Sequence, residues 1–371
     1  MTYDIEIYGA HHIDLERLGT ALSDAGGRFD RSSGVAYRIV RGRERRVFVI
    51  DGPLGVERED LPDEVAGAAV GVRLMYEFTV EDTARPSLAF ATKAARALAA
   101  ATDGLVHDRQ NDARPIWSPA PLRRFKPPAA EHVDLLDLDW YVRREDLPHD
   151  LPERLLEALR TWFPEAMPRR FGDYEPLQHK LSDEGEEGFI SAWRTESGGL
   201  FWKTSRPFFS GAARSVGDDF TPYLIGEKEQ REGLPHPVAN ISLTMDLRVL
   251  SDERWRTDLV RSFARIAEVT GAFYAHAVVS RGWGYSGGSL WTAARTQTHR
   301  SVTQRDRWAG LPPYPVWLAW FKGFYSPGIE QCLGTGYERF DDGGLMWRNG
   351  DHPDDANDVP WSTATPLPEG L

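Results

Sequence analysis

Apolar residues fall at every second position along 239–249, at Ile241, Leu243, Met245, Leu247 and Val249, and this period predicts a half-buried strand. The period then changes. Trp255, Leu259, Phe263, Ile266 and Ala267 recur at helical spacing, behind Ser251 or Asp252 as N-cap and ahead of Gly271 as terminator. Residues 272–280, AFYAHAVVS, read as a buried strand, which completes a strand–helix–strand run over 239–281. A fainter copy of its first half lies upstream, as strand 133–143 and helix 151–163 with Leu155, Leu156, Leu159, Trp162 and Phe163 on one face. Two such units in one sheet predict a ferredoxin-like domain with insertions.

The N-terminal part follows the order β-α-β-β-β-α-β. Strands are expected at 3–8, 35–41, 46–51, 71–80 and 104–108, with helices after residue 12 (Leu15, Leu18, Leu22 and Ala25 on one face) and at 86–102. The chain as a whole is therefore expected to be α+β, with antiparallel or mixed sheets and helices on one face. Residues 118–132 hold four prolines and no periodicity. They predict a linker between a domain at 1–117 and one at 133–340, and 341–371 reads as a loosely held acidic, proline-rich tail. Between 164 and 238 the pattern is weaker, with strand-like pieces at 187–194 and 199–205.

Charge narrows the function classes. A net charge of −12 is poor material for binding nucleic acid, which needs a basic surface to displace counterions. The arginines of 38–46 read as a hairpin turning at Gly42. No apolar run reaches the roughly 20 residues that span a bilayer, so no membrane contact is expected. The N-terminus has acids where a secretory signal would be basic, and the lone cysteine, Cys332, excludes an internal disulfide, so a reducing, cytoplasmic location is expected. Nothing in the sequence specifies the oligomeric state.

Catalytic motifs are sparse. Gly282-Trp283-Gly284-Tyr285-Ser286-Gly287 matches the G-x-G-x-x-G spelling, with Asp306 about twenty residues on. It follows a helix and a strand instead of opening the first strand–helix turn, and Trp283 and Tyr285 are bulky where a pyrophosphate must approach. It is expected to be a flexible glycine-rich turn. His11-His12, His107 beside Asp108, and His276 lack metal-ligand spacing; the adjacent pair His11-His12 is expected to face solvent and His276 to be hydrogen-bonded in the core. Asp4 and Glu6 share a polar strand face turned to solvent. Neither Ser210 nor Ser286 sits in a nucleophile elbow, and Cys332 reads as a packed thiol. No catalytic residue, cofactor or metal is expected.

Two stretches stand apart. Residues 163–178 contain Pro-Arg-Arg-Phe-Gly-Asp-Tyr-Glu-Pro, where Arg169, Arg170, Asp173 and Glu175 are placed to form ion pairs or to meet a partner. Residues 308–325 gather Trp308, Tyr314, Trp317, Trp320 and Tyr325, too many for one helix face, so some are core and others are candidates to line a groove or an interface. At these two stretches, around the strand–helix–strand unit, about half the chain resembles bacterial immunity-type proteins, the cytoplasmic antidotes of polymorphic or type VI secreted toxins. The resemblance implies a binding factor that neutralises a cognate toxin by steric occlusion, without catalytic residues. The alternative is an enzyme or small-ligand binder with a cleft near 282–288 and 308–325.

Overall fold

The structure is a computed structural model of the chain. It describes residues 2–13, 17–20, 28–30, 37–41, 45–68, 71–108, 110, 116–119, 131–195, 199–220, 237–286, 289–292, 296–297, 299–304, 307–333 and 336–361. Two compact units result, one of Met1–Ala130 with Tyr285–Ser289 and one of Glu131–Gly284 with Leu290–Leu371.

The first unit is a seven-stranded sheet in the order β2-β3-β4-β5-β1-β6-β7. Its strands are β1 (Tyr3–Gly9), β2 (Arg28–Asp30), β3 (Tyr37–Arg41), β4 (Arg45–Gly55), β5 (Leu74–Val80), β6 (Leu105–His107) and β7 (Ile116–Trp117). Helix α1 (Asp63–Ala68) follows β4, and α2 (Arg85–Ala101) follows β5. The small-residue stripe of α2, Ala91, Ala94, Ala95 and Leu98, packs with Ile5, Ile7, Phe48 and Phe78. A smaller cluster of Tyr8, Val65, Met75 and Leu105 also forms, so apolar burial in this unit is not confined to the α2 cluster. The expected first helix is helical at 17–20, with Leu18 buried, while Leu15, Leu22, Ala25 and the turn at Gly42 lie outside the described residues. Helix α1 was not anticipated, because six residues carry no helical period.

The second unit is built on β8 (Glu131–Arg143), flanked by β13 (Val238–Asp246) and β14 (Tyr274–Ser286). Helix α5 (Glu253–Thr270) joins β13 to β14, so strand, helix and strand straddle β8 as a split unit. The Asp252 side chain caps α5 by accepting from the Arg254 N–H, and Gly271 ends it in the left-handed region at φ 71°, as its position predicts. The sheet continues on one side through β12 (Phe208–Arg214), β11 (Leu200–Lys203), β9 (Arg170–Gly172) and β10 (His179–Lys180). On the other side come β18 (Leu318–Phe321), β20 (Leu345–Arg348) and β19 (Tyr337–Arg339), with β15 (Ser289–Thr292) paired to β14. The short strands β16 (Thr303–Gln304) and β17 (Arg307–Trp308) pair separately. Both units are α+β with antiparallel ladders, and neither sheet closes into a barrel.

Strand alternation sorts the two faces of the second sheet. Leu136, Leu138, Trp140 and Val142 of β8, Ile241, Leu243 and Met245 of β13, and Ala275 and Ala277 of β14 enter one core. The apolar faces of α3 (Leu151–Trp162), α4 (Leu181–Thr195) and α5 fill the same core. Each such side chain contributes about 1.5–3 kcal/mol on burial. A second apolar cluster of Tyr274, Val278, Phe321, Tyr325 and Trp361 covers part of the other face, so only the rest of that face is left to polar residues.

Three expectations need correction. Residues 187–194 are helical within α4, because Phe189 and Trp193 are four apart and reach the same core. Residues 341–361 are folded: β20 pairs with β18, and Trp361 is buried with its indole N–H donating to the Pro312 carbonyl at 3.0 Å. The glycine-rich stretch 282–286 is strand, not flexible turn; Gly284 lies against the Trp291 indole, where a Cβ would approach within 2.3 Å. Gly287 and Asp306 lie outside the described residues.

Candidate functional site

The second face of this sheet carries a cleft of about 610 Å³. Its floor comes from alternate residues of three neighbouring strands: Asp137, Asp139 and Tyr141 of β8, Asn240, Ser242 and Thr244 of β13, and His276 and Ser280 of β14. Period two puts these groups here, since the residues between them are in the helix-side core. Arg214, Trp283, His299, Arg300 and Tyr314 also line the cleft.

Register explains the contacts of the acids. Thr244 stands directly opposite Asp137 in the β8–β13 ladder. Its hydroxyl donates to Asp137 Oδ1 at 2.9 Å, and the Ser280 hydroxyl donates to Oδ2 at 2.6 Å. Asn240 Nδ2 donates to Asp139 Oδ1 at 3.1 Å, while Asp139 Oδ2 lies 3.6 Å from His276 Nε2. The imidazole of His276 stacks on Tyr141 with ring centres 5.8 Å apart. Neither carboxylate has a Lys or Arg within ion-pair distance among the described residues.

Burial sets the protonation states. It pushes the Asp139 carboxyl up to about 7, and the neighbouring charge of Asp137 acts in the same direction, against the Asn240 bond and Arg214. Asp137 is also raised by burial, and its two hydroxyl donors oppose the shift. The same burial, helped by His299, lowers His276 to about 3, so its imidazole is neutral across the ordinary pH range. A proton on Asp139 facing a neutral imidazole avoids an ion pair in a poorly solvated place.

Two polar atoms of the cleft residues are buried without partners: His276 Nδ1 and Trp283 Nε1. Both border the cavity, so a polar group entering the cleft is placed to satisfy them. His276 is thus in the core as expected but lacks the hydrogen bond expected of it.

The residues singled out in the sequence are dispersed. Trp308, Trp317, Trp320 and Tyr325 are buried at 4% exposure or less, which removes them from any surface. Each indole N–H finds an acceptor, for example Trp320 to the Ala272 carbonyl at 3.0 Å and Trp308 to the Tyr325 hydroxyl at 2.6 Å, which is how a core accommodates so many tryptophans. Tyr314 is the exception, half-buried on the cleft wall, where its hydroxyl donates to the Arg300 carbonyl. Arg170 is buried and donates to the Leu177 carbonyl at 2.5 Å, whereas Arg169, Asp173 and Glu175 are exposed. His11 and His12 are exposed. Glu6 is buried, not solvated: its Oε2 is 2.9 Å from His107 Nδ1 and accepts from the Tyr8 hydroxyl at 3.0 Å. Cys332 is exposed, not packed. Among the described residues no His, Cys, Asp and Glu cluster has the arrangement of a metal site. No helix among them is long and apolar enough to cross a membrane.

Fold and cleft together define an α+β protein with a polar cavity on the face of its larger sheet opposite α3, α4 and α5. No family model matches the chain, and no curated protein matches it. Among solved structures, Pseudomonas aeruginosa T6SS protein PA0821 is similar at a TM-score of 0.38 and 11% identity, over 60% of this chain and 68% of that one.

Proposed function

We propose that the chain is a binding protein whose ligand is a small polar molecule seated in the cleft over Asp137, Asp139 and His276. The observation that carries this reading is the convergence on one cavity of two buried carboxyl groups, neither in an ion pair with Lys or Arg among the described residues, and two unpartnered polar atoms. A volume of about 610 Å³ lies within the usual range for small-molecule sites. Trp283 and Tyr314 belong to the glycine-rich and aromatic segments, so this is the small-ligand alternative drawn from the sequence. A thermal-shift screen of polar metabolites at neutral pH tests it. A true ligand raises the melting temperature of the native chain and leaves that of Ser242→Phe, which fills the cleft from a half-buried position, unmoved. The reading fails if no compound stabilises the native chain, or if every stabiliser acts equally on the variant.

A second reading, neutralisation of a cognate protein toxin in the cytoplasm, draws on one surface feature. Tyr174 is 50% exposed between the exposed acids Asp173 and Glu175, an aromatic and anionic tip suited to a basic partner. Capture of the product of a neighbouring toxin gene, lost together with rescue from toxicity in Tyr174→Ala, is its expected result; unchanged rescue by that variant removes this surface from the interface.

A further inference from the structure

We infer that the ligand of this cleft carries a cationic group, a primary ammonium or a guanidinium, which docks between Asp137 and Asp139 and accepts their charge. The inference rests on the cleft being a binding site and adds the chemical class of what it binds.

The first ground is the inventory of donors and acceptors on the floor. Thr244 and Ser280 spend their hydroxyl protons on Asp137, and Asn240 donates to Asp139, so what these strands turn toward the cavity is mostly acceptor. His276 adds a buried, unpartnered Nδ1, which accepts a ligand's N–H when the ring proton sits on Nε2, the tautomer that an ionised Asp139 favours. His276 is only 2% exposed, so bulk water does not satisfy that atom. A group rich in N–H donors and positive charge is the complement of such a floor. The second ground is electrostatic. A buried carboxylate is tolerated when it is paired, and these two have no Lys or Arg partner among the described residues. The chain's own cations in the cleft, Arg214 and Arg300, are exposed at its rim and make no ion pair with either acid.

A cation here favours the ionised form of Asp139, so binding near neutral pH expels a proton. The groups that share the field are Asp137, Tyr141, His276, His299, Tyr314 and the two rim arginines. Burial raises Tyr141 and Tyr314 and lowers His276, which carries these three away from neutral pH, and His299 Nε2 lies 2.8 Å from the Val279 carbonyl.

The test follows the aspartate carboxyl carbons of the full chain by NMR, with Asp137 and Asp139 assigned through Asp137→Asn and Asp139→Asn. Butylammonium and butylguanidinium are the probes; butylurea, a neutral relative, and sodium chloride at matched ionic strength are the controls. The expected result is a saturable fall of the Asp139 midpoint by one pH unit or more with either cation, equal to at least tenfold tighter binding to the ionised form. The same probes bind Asp139→Asn at least tenfold more weakly. An Asp139 midpoint that neither cation moves, or that sodium chloride moves equally, overturns the assignment. If neutral compounds from the screen still bind and Ser242→Phe excludes them, the binding cleft stands and only the cationic ligand falls; if nothing binds, both fall.

Discussion

Asp139→Asn stabilises the free protein at pH 8 and leaves its stability nearly unchanged at pH 4. The native carboxyl titrates near 7, against an ordinary value of 3.8, so between those limits the folded chain holds a proton that the unfolded chain releases. Stability is therefore highest below about pH 4 as far as this group is concerned, and it falls as pH rises toward 7. The full difference is on the order of 4 kcal/mol, large against the 5–15 kcal/mol that holds a typical domain together. Asparagine keeps the shape and removes the charge. The difference in unfolding free energy between variant and native chain, measured in urea at successive pH values, should rise from pH 4 to 7 and then level. A variant less stable than the native chain at pH 8 would show that Asp139 is neither strained nor buried in the way described.

His276 works in the opposite sense over almost the same window. Its folded value near 3 lies below the ordinary 6.5, so the unfolded chain takes up a proton that the native imidazole refuses, and stability is lost as pH falls from 6.5 toward 3. Between about pH 4 and 6.5 the two slopes offset each other: one buried group holds a proton and the other excludes one. Breaking the pair exposes each slope alone. The arrangement resembles a site prepared for a ligand more than a device for stability, since a plain apolar core at these positions would carry neither penalty.

Much of this fold was legible in the sequence. The alternation at 239–249, the capping pair Asp252 and Gly271, and the buried run 272–280 specify β13, α5 and β14 because each obeys one local period. The cleft was not legible, although its acids stand in plain view as alternate residues of VDLLDLDWYVR. A polar residue on every second position of a strand reads as solvated, and Asn240, Ser242 and Thr244 fit that reading equally well. What makes Asp137 special is Ser280, 143 residues away, and only the order β13-β8-β14 brings them together. The tryptophans misled for a related reason. Abundance of aromatic residues says nothing about whether a carbonyl stands ready for each indole N–H, and in this core the carbonyls of Phe263, Ala166 and Ala272 do.

Gly211→Ala is expected to destabilise the second unit by roughly 3 kcal/mol or more, the scale of overpacking a rigid core. Gly211 on β12 stands opposite Trp202 on β11, and the indole lies flat over it. A Cβ built there would sit 2.1 Å from Trp202 Cε2, far inside van der Waals contact. The ring cannot swing away freely. Its N–H donates to the Ala166 carbonyl at 3.2 Å, and Phe189 meets it edge-on at 5.6 Å. Accommodating one methyl group thus means losing a buried hydrogen bond, an aromatic contact, or the ladder between the two strands. Trp202→Phe alone costs stability by leaving the Ala166 carbonyl without its donor and a void beside Gly211. Combined with Gly211→Ala, it should recover part of the loss, because a smaller ring leaves room for the methyl. A double-mutant cycle read from urea midpoints measures this coupling; strictly additive losses would mean that the indole and the glycine do not share one space.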